Sequence, residues 1–275
     1  MSRARRSIVY WLILSPLVIT TLFPFAVMIS TAIRPRAEIL VYPPVWFPKD
    51  IRLQNFPDMW QAVGFGHALL NSAMVSAGAT ALCLLIAIPA AYATSRLSFH
   101  GVRVYRQFLL VTQMLSPVVL VLGLFRLMVK LGLSDQLAGL VLCYAAFNLA
   151  FAVWMLQAYF RTIPKELEEA ATLDGASTMQ RLTLIFLPLA APALGVTGIF
   201  VFIYCWNEFV LALTLLRSTD KFTLTFQIFS LVGGRYSIEW DNVMAATLLA
   251  TVPVAIVFAA LQKYLVSGLA LGAVK

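Results

Sequence analysis

The sequence predicts an all-α membrane protein with six transmembrane helices and both termini on the cytoplasmic side. Three observations predict it. Of 275 residues, 61% are hydrophobic and 12% charged, where a soluble domain carries roughly a quarter charged residues. A water-soluble core has no room for so much apolar side chain. Six separate stretches reach the ~20 mostly apolar residues that a bilayer-crossing helix needs. The basic residues gather in alternate connections, as the positive-inside rule requires. This composition excludes a disordered or disulfide-stapled chain. The net charge of +8 reads as topology, so it implies no nucleic acid.

The six spans fall at about 8–33, 68–94, 108–128, 137–160, 193–216 and 242–261 of a single transmembrane domain. The first is too long for a signal-peptide core and lacks a small-residue cleavage site, so it reads as a retained anchor. With the Arg-rich N-terminus inside, the inner segments hold 11 of the 20 basic residues against four acids; the outer ones hold nine against eight. The outer connection 34–67 is rich in proline, which blocks regular helix. Trp46 and Trp60 there suit interface anchors. Asn71 and Ser72 open the second span and read as caps for its terminal N–H groups.

Several chemistries are missing. Cys83, Cys143 and Cys205 lie scattered in apolar runs with no CxxC pair, and His67 and His100 fall in loops on opposite sides. No metal site and no catalytic constellation follows. There is no GxxxxGK[ST] phosphate loop, so the chain binds no ATP of its own.

The inner connection 161–192 differs from every other loop. Pro164 suits the first position of a helix, and 165–173 holds strong helix formers with acids in the first turns, where the helix dipole favours them. Gly175 can end that helix at positive φ. Residues 177–186 are amphipathic, with Leu182, Ile185 and Phe186 on one face. Pro188 and Pro192 mark entry to the fifth span. A short helix, a sharp turn and a second helix make an element shaped to dock into another protein.

Glu169, Ala170, Ala171, Gly175, Ile185, Leu187 and Pro188 are spaced E-A-A-x3-G-x9-I-x-L-P. That pattern resembles the EAA signature of ABC importer permeases at every position. The tail Gly268–Lys275 and the segment FIYCWNEF at 202–209 resemble the MalG-like half of the maltose-type carbohydrate permeases. The resemblance implies a type I importer permease fold in a bacterial inner membrane, working by alternating access. It implies four kinds of neighbour: a second homologous permease, two copies of a cytoplasmic ATPase carrying ATP and Mg, an extracytoplasmic sugar-binding protein, and lipid. It also implies roles. Glu168, Glu169, Ala170, Ala171, Asp174 and Gly175 would form the ATPase-coupling element. Gly272, Ala273, Val274 and Lys275 would reach between the ATPase subunits.

Glu208 stands within the fifth apolar stretch beside Asn207. A carboxylate at membrane depth costs at least ~2.5 kcal/mol unless it faces a cavity or a partner. Two readings stand: pore lining with sugar contact, aided by Tyr204 and Trp206 as stacking surfaces, or a structural role in which Asn207 and Glu208 satisfy a broken helix or bond to the partner permease. Gln113, Asn148 and Gln157 are the other span amides, suited to the pore or to locking helices together. The competing function is a stand-alone secondary transporter for a small polar solute. That would call for paired intramembrane charges or internal repeats, and the sequence offers neither.

Overall fold

A computed structural model describes residues 3–43, 48–98, 100–233 and 238–272, with the helix backbone alone at 3–9, 261 and 263–272. The α-helices, in order, are α1 (Arg3–Ala32), α2 (Asn55–Ala62), α3 (Phe65–Arg96), α4 (Val102–Gln113), α5 (Pro117–Lys130), α6 (Leu137–Phe160) and α7 (Lys165–Leu173). They continue as α8 (Thr178–Gln180), α9 (Leu187–Leu189), α10 (Ala191–Asn207), α11 (Val210–Leu215), α12 (Leu224–Val232) and α13 (Trp240–Gly272). No strand occurs among the described residues.

Four helices are long and apolar enough to cross a membrane: Tyr10–Ala32, Phe65–Arg96, Leu137–Phe160 and Trp240–Ala260. Two bent pairs raise the number to six if each is one span. The third predicted span, 108–128, is not one straight helix. It is α4 and α5 meeting at a 100° elbow. The cause is local: Pro117 starts α5 and holds Ser116 extended, at φ −71° and ψ 135°. The fifth span is also interrupted. Within it α10 stops at Asn207, with Glu208 extended before α11 begins; just ahead of it, the stretch Thr178–Leu189 meets α10 at 78°.

The chain forms two compact units, Met1–Gly66 with Gln227–Pro253 and His67–Phe226 with Val254–Lys275. In the first, buried Asn55 donates to the carbonyls of Ala32 (2.9 Å) and Arg34 (3.0 Å), fastening α2 to the end of α1. Arg36 pairs with Asp241 (2.8 Å) and Glu239 (2.7 Å). The hydrogen bond to Asp241 raises the Arg36 pKa against the opposing effect of burial. Helix α2 corrects the expectation of a helix-free proline loop: Pro57 sits in its first turn, where no N–H is needed. Trp60 packs 5.0 Å from Phe65; Trp46 lies outside the described residues. None of the most apolar stretch of α1 is buried, so its surface suits lipid or protein rather than water.

The second unit centres on α6, half of whose residues are buried. Val75, Ala79, Cys83, Ala87 and Ala91 recur every four residues along α3 in the same apolar core as Leu140, Tyr144, Leu156 and Phe160. Small side chains let helix backbones approach closely; a Cβ on Gly78 would meet Val141 at 3.4 Å. Asn71 and Ser72 are not caps, because α3 begins at Phe65. Asn71 donates to the carbonyls of Asp220 and Phe222, and Ser72 accepts from the Leu224 N–H. Gln157 locks α6 to α3 through the Thr94 carbonyl (3.1 Å).

Asp135, at φ 56°, fastens the α5–α6 turn to the segment after α11. Its carboxylate accepts from the N–H groups of Arg217 and Ser218, the Ser218 hydroxyl and Lys221 Nζ. The Ser218 hydroxyl and those two N–H groups hold its pKa well below the usual carboxylate range, outweighing burial. A lowered folded-state pKa stabilises the fold above the unfolded value of about 4, and that stability is lost as pH falls through the folded value. Asp135→Ala is expected to lower the thermal midpoint in detergent by the equivalent of about 2 kcal/mol. The gap to wild type should hold at neutral pH and shrink in acid. A variant with the wild-type midpoint would contradict the clamp.

Candidate functional site

The loop 161–192 folds from its own sequence signals. Pro164 is the N-cap of α7, and Glu166 and Glu168 fill its first turn. Asp174 caps the other end, and Gly175 turns the chain at φ +79°, a conformation that side chains other than glycine's disfavour. The N–H groups of Gly175 and Ala176 close the helix on the carbonyls of Thr172 and Ala171. Ser177 and Gln180 then form a reciprocal capping box. A π-helical turn, Arg181–Phe186, carries the chain into α9.

This element is anchored from behind by charge. Glu168 accepts a hydrogen bond from Tyr92 of α3 (2.7 Å). It also pairs with Arg181 (3.4 Å) and, at 3.8 Å, with Arg96. Arg96 closes α3, donates to the carbonyls of Phe160 and Ile163, and lies 5.0 Å over the Phe186 ring. Phe186 in turn meets Tyr92 and Phe160 edge-on. The two adjacent acids therefore differ in kind. Glu168 faces the core with 15% of its side chain exposed, while Glu169, Ala170 and Asp174 are exposed. Leu173, 90% exposed, and Met179, 68% exposed, stand bare on the same element. Arg96 and Tyr92 were not legible as members of this site, because they lie far from it in sequence.

The α4–α5 elbow opens a cleft of about 480 Å³. It brings together Gln113, Asn148 and Tyr204, three of the six sequence candidates, with the aromatic rings of Phe147, Phe151 and Phe200. No charged side chain lines it among the described residues. Carboxamides and hydroxyls beside aromatic faces can bind a neutral polyhydroxylated solute. The signal for the cleft was Pro117, which announces the elbow. The other three candidates lie elsewhere. Trp206 is buried and stacked on Phe202. Asn207 is exposed and bonds back to the Ile203 carbonyl. Glu208 accepts from the buried Tyr144 hydroxyl (2.7 Å) and from the N–H groups of Leu211 and Ala212, so its carboxylate tops α11. Of the tail, Gly272 ends α13; Ala273, Val274 and Lys275 lie outside the described residues.

The family model of the binding-protein-dependent transport system inner membrane component matches residues 83–270. The chain is 38% identical to a putative ABC transporter permease protein, ORF1, of Streptomyces antibioticus, over 83% of this chain and 99% of that one. It is 37% identical to the trehalose/maltose transport system permease protein MalG of Thermococcus litoralis, over 94% and 92% of the two chains. Among solved structures it resembles a chain of a bacterial ABC transporter involved in the import of the acidic polysaccharide alginate. That match has a TM-score of 0.78 at 28% identity and covers 96% and 98% of the two chains.

Proposed function

The chain belongs to the family of binding-protein-dependent transport system inner membrane components, and from that premise we propose that it is one permease half of an ATP-driven sugar importer. It has no catalytic role of its own. In this reading the chain crosses a bacterial inner membrane six times, with α4 and α5 together as one crossing, and both termini and the 161–192 loop face the cytoplasm. A second, homologous permease completes the pore. Two copies of a cytoplasmic ATPase supply ATP and Mg chemistry, and an extracytoplasmic binding protein delivers the sugar.

One observation carries this reading: the loop with the E-A-A-x3-G-x9-I-x-L-P spacing is held rigidly from behind by Glu168 and presents Glu169, Leu173 and Met179 outward. A rigid element of that kind transmits a partner's movement to the spans. Closure of the ATPase dimer pushes the loop, the helices fixed to it move as a group, and the cavity changes its open side. The elbow cleft is the part of this chain best suited to the solute path.

Glu169→Lys is expected to cut recovery of the ATPase with the affinity-tagged permease at least about tenfold, because it places like charge against a basic partner surface. Gly175→Pro, which cannot adopt φ +79°, should do the same. Both variants should insert in the membrane at wild-type levels. Full ATPase recovery and full transport in both would remove the coupling role.

A further inference from the structure

A second cleft, of about 640 Å³, opens where α3 passes to α4, lined by Ser98, His100, Gly101, Arg103, Val104 and Arg106. It lies at the same end of its unit as the coupling loop. Arg106 donates to the Thr94 carbonyl (2.6 Å), two residues from the Arg96 that holds Phe160 and Ile163. Arg161, at the start of the coupling loop, lies within electrostatic reach of Arg106. No acid lines the cleft among the described residues. Arg103 and His100 make no hydrogen bond or ion pair among those residues. The N-terminus of α4 opens here as well. Its cap, Gly101, offers no side chain and its first turn holds no acid, so among the described residues no side chain compensates the first N–H groups or the positive end of the helix dipole. All of this calls for an anion.

The flank of α4 says what kind of anion. Val104, Phe108 and Val111 are 68%, 60% and 56% exposed at helical spacing, an apolar stripe that starts at the cleft itself. A free phosphate would satisfy the cations and leave that stripe bare, whereas an amphiphile covers both. We propose that this cleft seats the headgroup phosphate of an anionic phospholipid of the cytoplasmic leaflet, with its acyl chains along Val104, Phe108 and Val111. The inference rests on the membrane orientation given above. Its consequence is regulatory: the lipid bridges α3 to α4 beside the coupling loop, so the elbow and the loop would respond to the anionic lipid content of the bilayer.

The test is native mass spectrometry of the whole importer complex in mild detergent, offered equal amounts of phosphatidylglycerol and phosphatidylethanolamine. Wild type should retain phosphatidylglycerol in preference. Arg103→Gln, at an exposed side chain with no partner to lose, should weaken that retention about fivefold, and Arg103→Lys should restore it. Inorganic phosphate should not displace the lipid. Equal retention of the two lipids, undiminished phosphatidylglycerol on Arg103→Gln, or displacement by inorganic phosphate would each overturn the proposal. Partner subunits are counted in the same spectra. Lost lipid selectivity in an intact complex refutes this inference alone, while absent partners with selective lipid retention refute the importer assembly alone.

Discussion

Glu168→Ala is expected to abolish coupling while leaving a chain that still inserts in the membrane. The substitution removes the acceptor of the Tyr92 hydroxyl and the counter-charge of Arg96 and Arg181, whose side chains are 4% and 17% exposed. Stripping a carboxylate from buried cations costs about 3 kcal/mol or more; the low end applies here because Glu168 retains some contact with water. That local loss should loosen the loop's hold on α3, since Glu168 is its charged link to Tyr92 and Arg96. Transport by the reconstituted complex should fall at least about tenfold, and protease should cut the loop faster. Glu168→Asp, which keeps the charge, should recover part of both. Arg96→Lys alone should lower transport and expose the loop as well, since one ammonium cannot reproduce the guanidinium fork that reaches two carbonyls and a carboxylate. Wild-type transport by Glu168→Ala would contradict the anchoring.

The second large effect is expected at Glu208. Its carboxylate answers the Tyr144 hydroxyl, from a residue only 1% exposed, and the first free N–H groups of α11. Glu208→Ala leaves these donors buried without an acceptor and should cost about 3 kcal/mol, read as a lower thermal midpoint in detergent. Glu208→Gln should fall between the two, because a carboxamide oxygen still accepts but without the charge. The structural role also predicts a kinetic signature. Maximal transport rate should drop with the folded fraction while KM stays at its wild-type value for every sugar carried. A KM that rises selectively for one sugar would restore Glu208 as a substrate contact.

Much of this was legible in the sequence because the responsible forces are local. The fourth span coincides with α6, since no proline and no charged residue interrupts 137–160. The 161–192 loop was readable residue by residue, because Gly175 and the acids of α7 act within one helical turn of themselves. Two things were hidden. Interruptions within apolar stretches look continuous to hydropathy: the α4–α5 elbow is set by one proline, and the α10–α11 break by one carboxylate. Long-range polar partners were also invisible. Asn71 and Ser72 looked like caps and instead hold a segment some 150 positions away, and Glu168 looked like a twin of Glu169 until Arg96 and Tyr92 were placed beside it. Helix α12 (Leu224–Val232) was unexpected for a related reason. At nine residues it is too short to count as a span, and Thr225, Gln227 and Ser230 interrupt its apolar pattern.

A chain that works as one half of a coupled importer should be held by its partners in the membrane. The most direct measurement is mild-detergent extraction of the tagged chain from its native host, with mass spectrometry of whatever remains bound. The account predicts an ATPase in two copies, one different permease and a sugar-binding protein, the last identifying the sugar by its own ligand. Recovery of the chain alone or as a homodimer, with sugar uptake intact in cells lacking the candidate ATPase, would contradict it.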